Sequence, residues 1–239
     1  DNDITINEGK AEEWAKNAPE YEWTPVGRYV DEEGKTKGQT FAGTFDGNGH
    51  TISGVYSDVG KTQYNGLFGF AINATIKNFS LINSYFASTA DAADMGSVLG
   101  YGDGVLENIY SDAILNAKGI RVGGLLGVSQ DKKTDGASGA AENSKTVIKN
   151  CWFNGTINLN YDEPKSAYSG GLLGYPLHGT VNFKHALFTG TIYYNNLGEK
   201  NDTIFAGLTD KETGFVEEQI DNGQYGISIT LCNRNTILT

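Results

Sequence analysis

Three stretches decide the fold: TIKNFSLINS (Thr75–Ser84), VLENIYSDAI (Val105–Ile114) and VIKNCWFNGTI (Val147–Ile157). They align without gaps on Asn78, Asn108 and Asn150, and HTISGVYS and FKHALFTGTI join them on Gly54 and His185. Each follows or precedes a glycine-rich element: NGLFG ending at Gly69, GSVLG at Gly100, GGLLG at Gly127 and again at Gly174, and a degenerate AGL at Leu208. The aligned columns recur at about 24, 30, 42 and 35 residues, the spacing of a coiled repeat. One coil cannot bury its apolar side alone, so equivalent residues of successive turns must stack into a shared core.

Period-two alternation assigns the faces, because neighbouring strand side chains point oppositely. Val55, Phe79, Ile109, Cys151 and Ala186 form one inward column, and Ser57, Leu81, Ser111, Phe153 and Phe188 a second. Between them Tyr56, Ser80, Tyr110, Trp152 and Leu187 face out. Asn78, Asn108 and Asn150 stand where each strand would leave a corner; Asn tolerates the left-handed backbone, and its amide can bond the Asn above. A structural ladder of these three residues is therefore expected, with His185 a polar substitute in the same column. Cys151, in an inward column, reads as a small buried hydrophobe and not as a nucleophile.

Composition agrees with many short strands joined by tight turns: 32 Gly, 4 Pro and 1 Met among 239 residues. A net charge of −11 argues against nucleic acid, whose affinity comes from Lys and Arg neutralising phosphates. Cys151 and Cys232 have no metal-ligand spacing. No apolar run is long enough for a transmembrane helix. The opening DNDITI, without Met or a signal peptide, fits a processed export or a cut segment, and the strand-like ISITLCNRNTILT at the other end is read as the end of a trimmed, longer chain.

The ends of a solenoid need covers. NEGKAEEWAKNA (Asn7–Ala18) predicts a short helix with Trp14 on its apolar side and Pro19 stopping it. A short helix is expected again within Thr209–Gln224, then a last strand over Tyr225–Leu231. Ser129–Lys145 and Asn158–Tyr168 read as exposed loops. The organisation expected is one structural domain: an N-terminal helix and cap over 1–40, coils over 41–208, and a C-terminal coil and cap over 209–239.

WTPVG (Trp23–Gly27), FAGTFDGNGHTISG (Phe41–Gly54), GLFG, and two GGLLG copies with KNCWFNGT (Lys149–Thr156) between them together resemble the GLUG-motif repeats of bacterial secreted and cell-surface proteins. The resemblance covers roughly residues 20–210, with the motifs in the family's order; GSVLG departs from the pattern. It implies a right-handed parallel β-helix in a modular, adhesin-like protein secreted or displayed on a bacterial surface; composition and the aligned columns add the expectation of an all-β chain of about five or six coils. Some members belong to immunoglobulin A metallopeptidases, but their HExxH motif is absent, and His50, His178 and His185 do not supply it.

No catalytic residue, metal site or cofactor is assigned. Asp46 and Asn48 could ligate Ca²⁺, but the further acids of an EF-hand are missing, and Asp46–Gly49 reads as a turn. The enzymatic rival is a β-helix polysaccharide lyase or glycoside hydrolase. A hydrolase needs two facing carboxylates, and Asp58, Asp112, Asp103 and Glu107 yield no same-column pair; a lyase base would fall to Arg121 or Lys149. No GxSxG, P-loop or CxxC occurs. Of the N-x-S/T triplets at Asn73, Asn78, Asn154 and Asn201, none carries weight in an Asn- and Thr-rich chain. The outward aromatics Tyr56, Tyr110 and Trp152 are the expected ligand-binding face, a platform for sugar rings or a host surface protein. The alternative is a covering segment, the N-terminal helix or the Ser129–Lys145 loop, laid over them. A third possibility is a spacer within a larger surface protein.

Overall fold

A computed structural model describes residues 2–27, 29–32, 35–58, 64–88, 93–118, 121–129, 145–160, 168–177, 180–194 and 216–220. Residues 130–144 and 161–167 of the two expected loops, His178, Asn201, the AGL element, Tyr225–Leu231 and Cys232 lie outside them, whereas the described ends of those expected loops, Ser129, Lys145, Asn158–Leu159 and Tyr168, belong to strands. The fold is a parallel β-helix. One coil shows the design: Leu99–Ser111 runs in a first sheet, Ile114–Ala117 in a second, and Arg121–Gly123 in a third, and Leu126–Ser129 returns to the first. The first sheet stacks Ile4–Thr5, Thr44–Ser53, Phe68–Ile82, Leu99–Ser111, Lys145–Phe153 and Thr180–Phe188 in that order, all parallel. The described residues thus trace five coils. In the last two of these the long strand is split, Leu173–Pro176 preceding Thr180–Phe188 as Leu126–Ser129 precedes Lys145–Phe153.

Register turns the alternation into files. Phe79 pairs with Ile109 and Ile109 with Cys151, and all three are buried in one core cluster with Ala186. Leu81, Ser111, Phe153 and Phe188 form the next file, each fully enclosed. The Phe153 and Phe188 rings stack face to face, centroids 6.1 Å apart and 3° from parallel. Burying each such ring is worth about 1.5–3 kcal/mol. Cys151 has its thiol pushed up to about 12 by burial, which leaves no thiolate to react.

The glycine-rich elements are where one sheet turns onto the next at backbone contact. A Cβ on Gly127 would lie 2.4 Å from the Gly100 carbonyl oxygen and 2.7 Å from the Met95 nitrogen. Only glycine lets neighbouring coils pass there.

The first coil departs from the gapless alignment. Asp46 pairs with Lys77 and His50 with Phe79, so Gly47, Asn48 and Gly49 bulge opposite Asn78 alone. Asn48 and Gly49 both take positive φ, and a Cβ on Gly47 would meet the Phe79 Cβ at 2.5 Å. The residues in register with Phe79, Ser80 and Leu81 are therefore His50, Thr51 and Ile52, not Val55, Tyr56 and Ser57. Gly54 belongs with Asn83, whose carbonyl accepts its N–H at 3.2 Å, and Tyr56–Asp58 opens the second sheet. Asp46–Gly49, expected as a turn, is instead a bulge inside the strand Thr44–Ser53, and its extra residues slip the column.

Both expected helices are corrected. In place of a helix over Asn7–Ala18 there is one 3-10 turn, Ala11–Glu13. Nucleating a helix fixes several residues for a single bond, and this segment satisfies its polar groups on the solenoid instead. Asn83 Oδ1 accepts from the Ala11 N–H, Asn83 Nδ2 donates to the Gly9 carbonyl, and Asn7 Nδ2 donates to the Gly54 carbonyl, all at 2.8–2.9 Å. At the other end Val216–Ile220 is a strand, antiparallel to Thr180–Phe188, where a helix was expected; sheet pairing with the last coil supplies partners that a short helix would lack. Val26 and Phe41 form parallel bridges to Phe68 and Ala71, so the first coil straddles the expected boundary at residue 40. The hairpin Tyr29–Glu32 with Lys35–Gly38 is inserted between them.

Candidate functional site

The first sheet carries an open groove of ≈ 460 Å³ on its outer side, lined in part by Asn78, Asn108, Asn150, Ser80, Tyr110 and Trp152. Its floor starts with the backbone. Asn78, Asn108, Asn150 and His185 take φ of 60°, 55°, 52° and 49°, the left-handed region that Asn visits more readily than most residues. Each lies inside a strand of the first sheet and bends it, where the sequence suggested the strand's exit. The bend skips one beat of the alternation: Leu106 and Ile109 are both buried, while Glu107 and Asn108 between them both face outward.

The amides then join. Asn150 Nδ2 donates to Asn108 Oδ1 at 3.0 Å, and Asn108 Nδ2 to Asn78 Oδ1 at 2.8 Å. Asn78 Nδ2 donates to Asp46 Oδ1 at 2.9 Å, and His185 Nδ1 sits 3.2 Å from Asn150 Oδ1 at the far end. All the Asn donors point the same way along the axis, so the chain ends on a carboxylate. The Asn78 amide, helped by the Asn48 N–H, holds Asp46 below the usual carboxylate range.

Beside this ladder lies the outward file Thr51, Ser80, Tyr110, Trp152 and Leu187, paired in register. Tyr110 and Trp152 meet edge to face, centroids 5.0 Å apart, and Trp152 is 41% exposed. Its ring is aimed: Nε1 donates to Thr189 Oγ1 at 2.7 Å, and Thr189 in turn donates to Asn154 Oδ1 at 2.7 Å. Tyr56 does not join them. It stands on the second sheet, stacked on Tyr85 at 5.9 Å with Trp14 edge-on at 6.2 Å, and is 8% exposed. Two of the three expected aromatics are therefore brought together and one is not, because of the bulge at Gly47–Gly49.

On the other side of the ladder runs a column of charge. Lys77 approaches Asp46 at 3.3 Å and Lys149 donates to Glu107 at 2.6 Å. Such exposed pairs add little stability, but they neutralise the cations nearest the groove. The other acids and bases of the enzymatic rival are dispersed. Asp103 accepts from the Asn73 N–H, Asp112 from the Asn83 N–H, and Arg121 Nε donates to buried Asp94. Asp58 pairs with Ala87 on the second sheet. Burial pushes the Asp112 carboxyl above its ordinary value.

Sequence reasoning overlooked a second corner file, Gly54, Asn83, Asp112, Asn154 and Thr189, which links the first sheet to the second and buttresses Trp152. Its signal was present as a turn-forming residue four or five positions after each ladder residue. Among the described residues no helix is long and apolar enough to cross a membrane.

No protein family profile matches the chain, and no solved structure matches it. Halomucin of the haloarchaeon Haloquadratum walsbyi is 32% identical over 121 residues, a stretch that covers 50% of this chain and 1% of halomucin. The chain is thus similar to one small part of a far longer protein.

Proposed function

We propose that this chain is a non-catalytic module of a secreted or cell-surface protein whose task is adhesion, through binding of a glycan or a host partner on the outer face of its first sheet. The observation that carries the reading is the open groove in which Tyr110 and Trp152 stand beside the amides of Asn78, Asn108 and Asn150. Flat aromatic faces beside polar hydrogen-bonding groups are what a sugar ring needs. The similarity to a protein named as a mucin supports a surface setting, and the GLUG-type motifs support an adhesin-like one. Because that relative is haloarchaeal, a bacterial origin rests on those motifs alone.

The test is Tyr110→Ala together with Trp152→Ala, measured against a hit from a glycan array. Binding should vanish while the cooperative unfolding transition is kept; retained binding would reject this face as the site. A spacer role is the second reading, favoured by the small share of halomucin that the chain covers. It predicts no ligand on any array.

A further inference from the structure

We infer that the groove takes a neutral, linear oligosaccharide lying along the solenoid axis; this rests on the glycan-binding reading above and names its ligand class. Three observations lead there. The first is charge. Among the described residues, those lining the groove carry none. Lys77 and Lys149, which flank the ladder beside the groove, are already paired with Asp46 and Glu107, and Lys184, in register with Lys149, stands one coil beyond the residues that line the groove. A chain of net charge −11 also repels a polyanion approaching from solution, so an acidic glycan would find repulsion and no free cation within the groove.

The second is unused bonding capacity. An Asn amide offers two N–H groups and two oxygen lone pairs. In the ladder each of Asn78, Asn108 and Asn150 spends one N–H on the rung before it. Asn78 and Asn108 each accept one bond from the rung after, and Asn150 faces His185. Beyond these bonds each rung keeps an N–H, and Asn78 and Asn108 each keep an oxygen lone pair, in residues that line the groove, which suits sugar hydroxyls, themselves both donors and acceptors.

The third is direction. The groove reaches from Asn48 in the first coil to Trp152 in the fourth, about 14 Å at roughly 4.8 Å per coil. The free amide groups recur at that step, so an extended repeating ligand matches them along the axis and not across it. The aromatic file parallel to them has rings at Tyr110 and Trp152 but only Ser80 on the rung before.

Calorimetric titration of the whole chain tests this. The probes are cello-, xylo- and manno-oligosaccharides of two to six sugars, and oligogalacturonides of the same lengths. Affinity for a neutral series should climb with length until the sugar outruns the groove, and should be indifferent to salt. Ser80→Tyr, which adds an aromatic rung, should tighten binding, and Trp152→Ala should weaken it about tenfold. Salt-sensitive binding confined to the oligogalacturonides, or affinity independent of length, would overturn the neutral linear ligand and leave a binding face in place. Binding to none of the series, while another partner still depends on Trp152, would also overturn it; loss of all ligands would retire the binding reading itself.

Discussion

Tyr56 with Tyr85, and Tyr110 with Trp152, are two outward aromatic pairs on adjoining sheets of one solenoid, and they meet opposite fates. The first pair lies under Trp14 and is buried; the second lines an open groove. Both pairs arise from the same alternation, and each has two rings from neighbouring coils in register. What separates them is a remote segment. Residues 7–14 are tied to the second sheet's corner through Asn7 and Asn83, and nothing among the described residues does the same for Trp152 beyond the single bond that aims its ring. An outward aromatic on a β-helix is thus a stability element or a binding element according to what else the chain lays over it.

The widest gap between the pairs should appear in unfolding. Trp14 is 5% exposed, so Trp14→Ala should cost about 3 kcal/mol or more, as truncating a buried Trp does. Trp152→Ala should cost about 1 kcal/mol, the worth of one hydrogen bond and one partial ring contact. Urea titrations of the two variants give the comparison directly, and equal costs would erase it.

The floor shared by the open pair can be probed at Asn108. Asn108→Ala both breaks the amide ladder and forces an alanine to φ near 55°, with an expected loss of about 2 kcal/mol. Asn108→Gly removes only the amide and should cost less. If the two variants unfold alike, the backbone bend is not what selects Asn there.

The corner that separates the two sheets offers the smallest effect, at Asp112. Its carboxyl is raised by burial above the ordinary carboxyl value, so the folded state holds the proton more tightly than the unfolded chain. Its contribution is then most favourable below that value and is lost as pH rises through the folded pKa. Asp112→Asn keeps an oxygen for the Asn83 N–H, 2.8 Å away in the parent, and escapes that loss. The variant should match the parent in strong acid and unfold at a slightly higher temperature at neutral pH. A variant less stable at neutral pH would show that the carboxylate's charge matters more to this corner than its burial.

How far these features were legible follows from their range along the chain. Phe79, Ile109 and Cys151 could be placed in one file because alternation and the Asn column are local patterns that repeat. The first coil was misplaced because Asp46–Gly49 adds residues without changing the look of the strand after it. Gly54-Val-Tyr-Ser resembles Asn78-Phe-Ser-Leu closely enough to pass as the same rung. NEGKAEEWAKNA has the pattern of a helix, yet its partners lie at Asn83 and Gly54, distant in sequence. Covering by Trp14 is a tertiary fact of the same kind, so burial of Tyr56 was written nowhere near Tyr56. The amides, Tyr110 and Trp152 were found because one period carried them all; Thr189 and Asn154, which aim Trp152, belong to a second column that the first one masked.

The most direct measurement is ¹⁹F NMR of the chain labelled with 5-fluorotryptophan, which gives one resonance for each of its 3 Trp, Trp152 assigned through Trp152→Phe. Titrated with the tightest-binding oligosaccharide of the calorimetric series, the Trp152 signal should move saturably while that of Trp14 stays fixed. A Trp14 signal that moves while Trp152 is silent would place the ligand on the covered face and contradict the account.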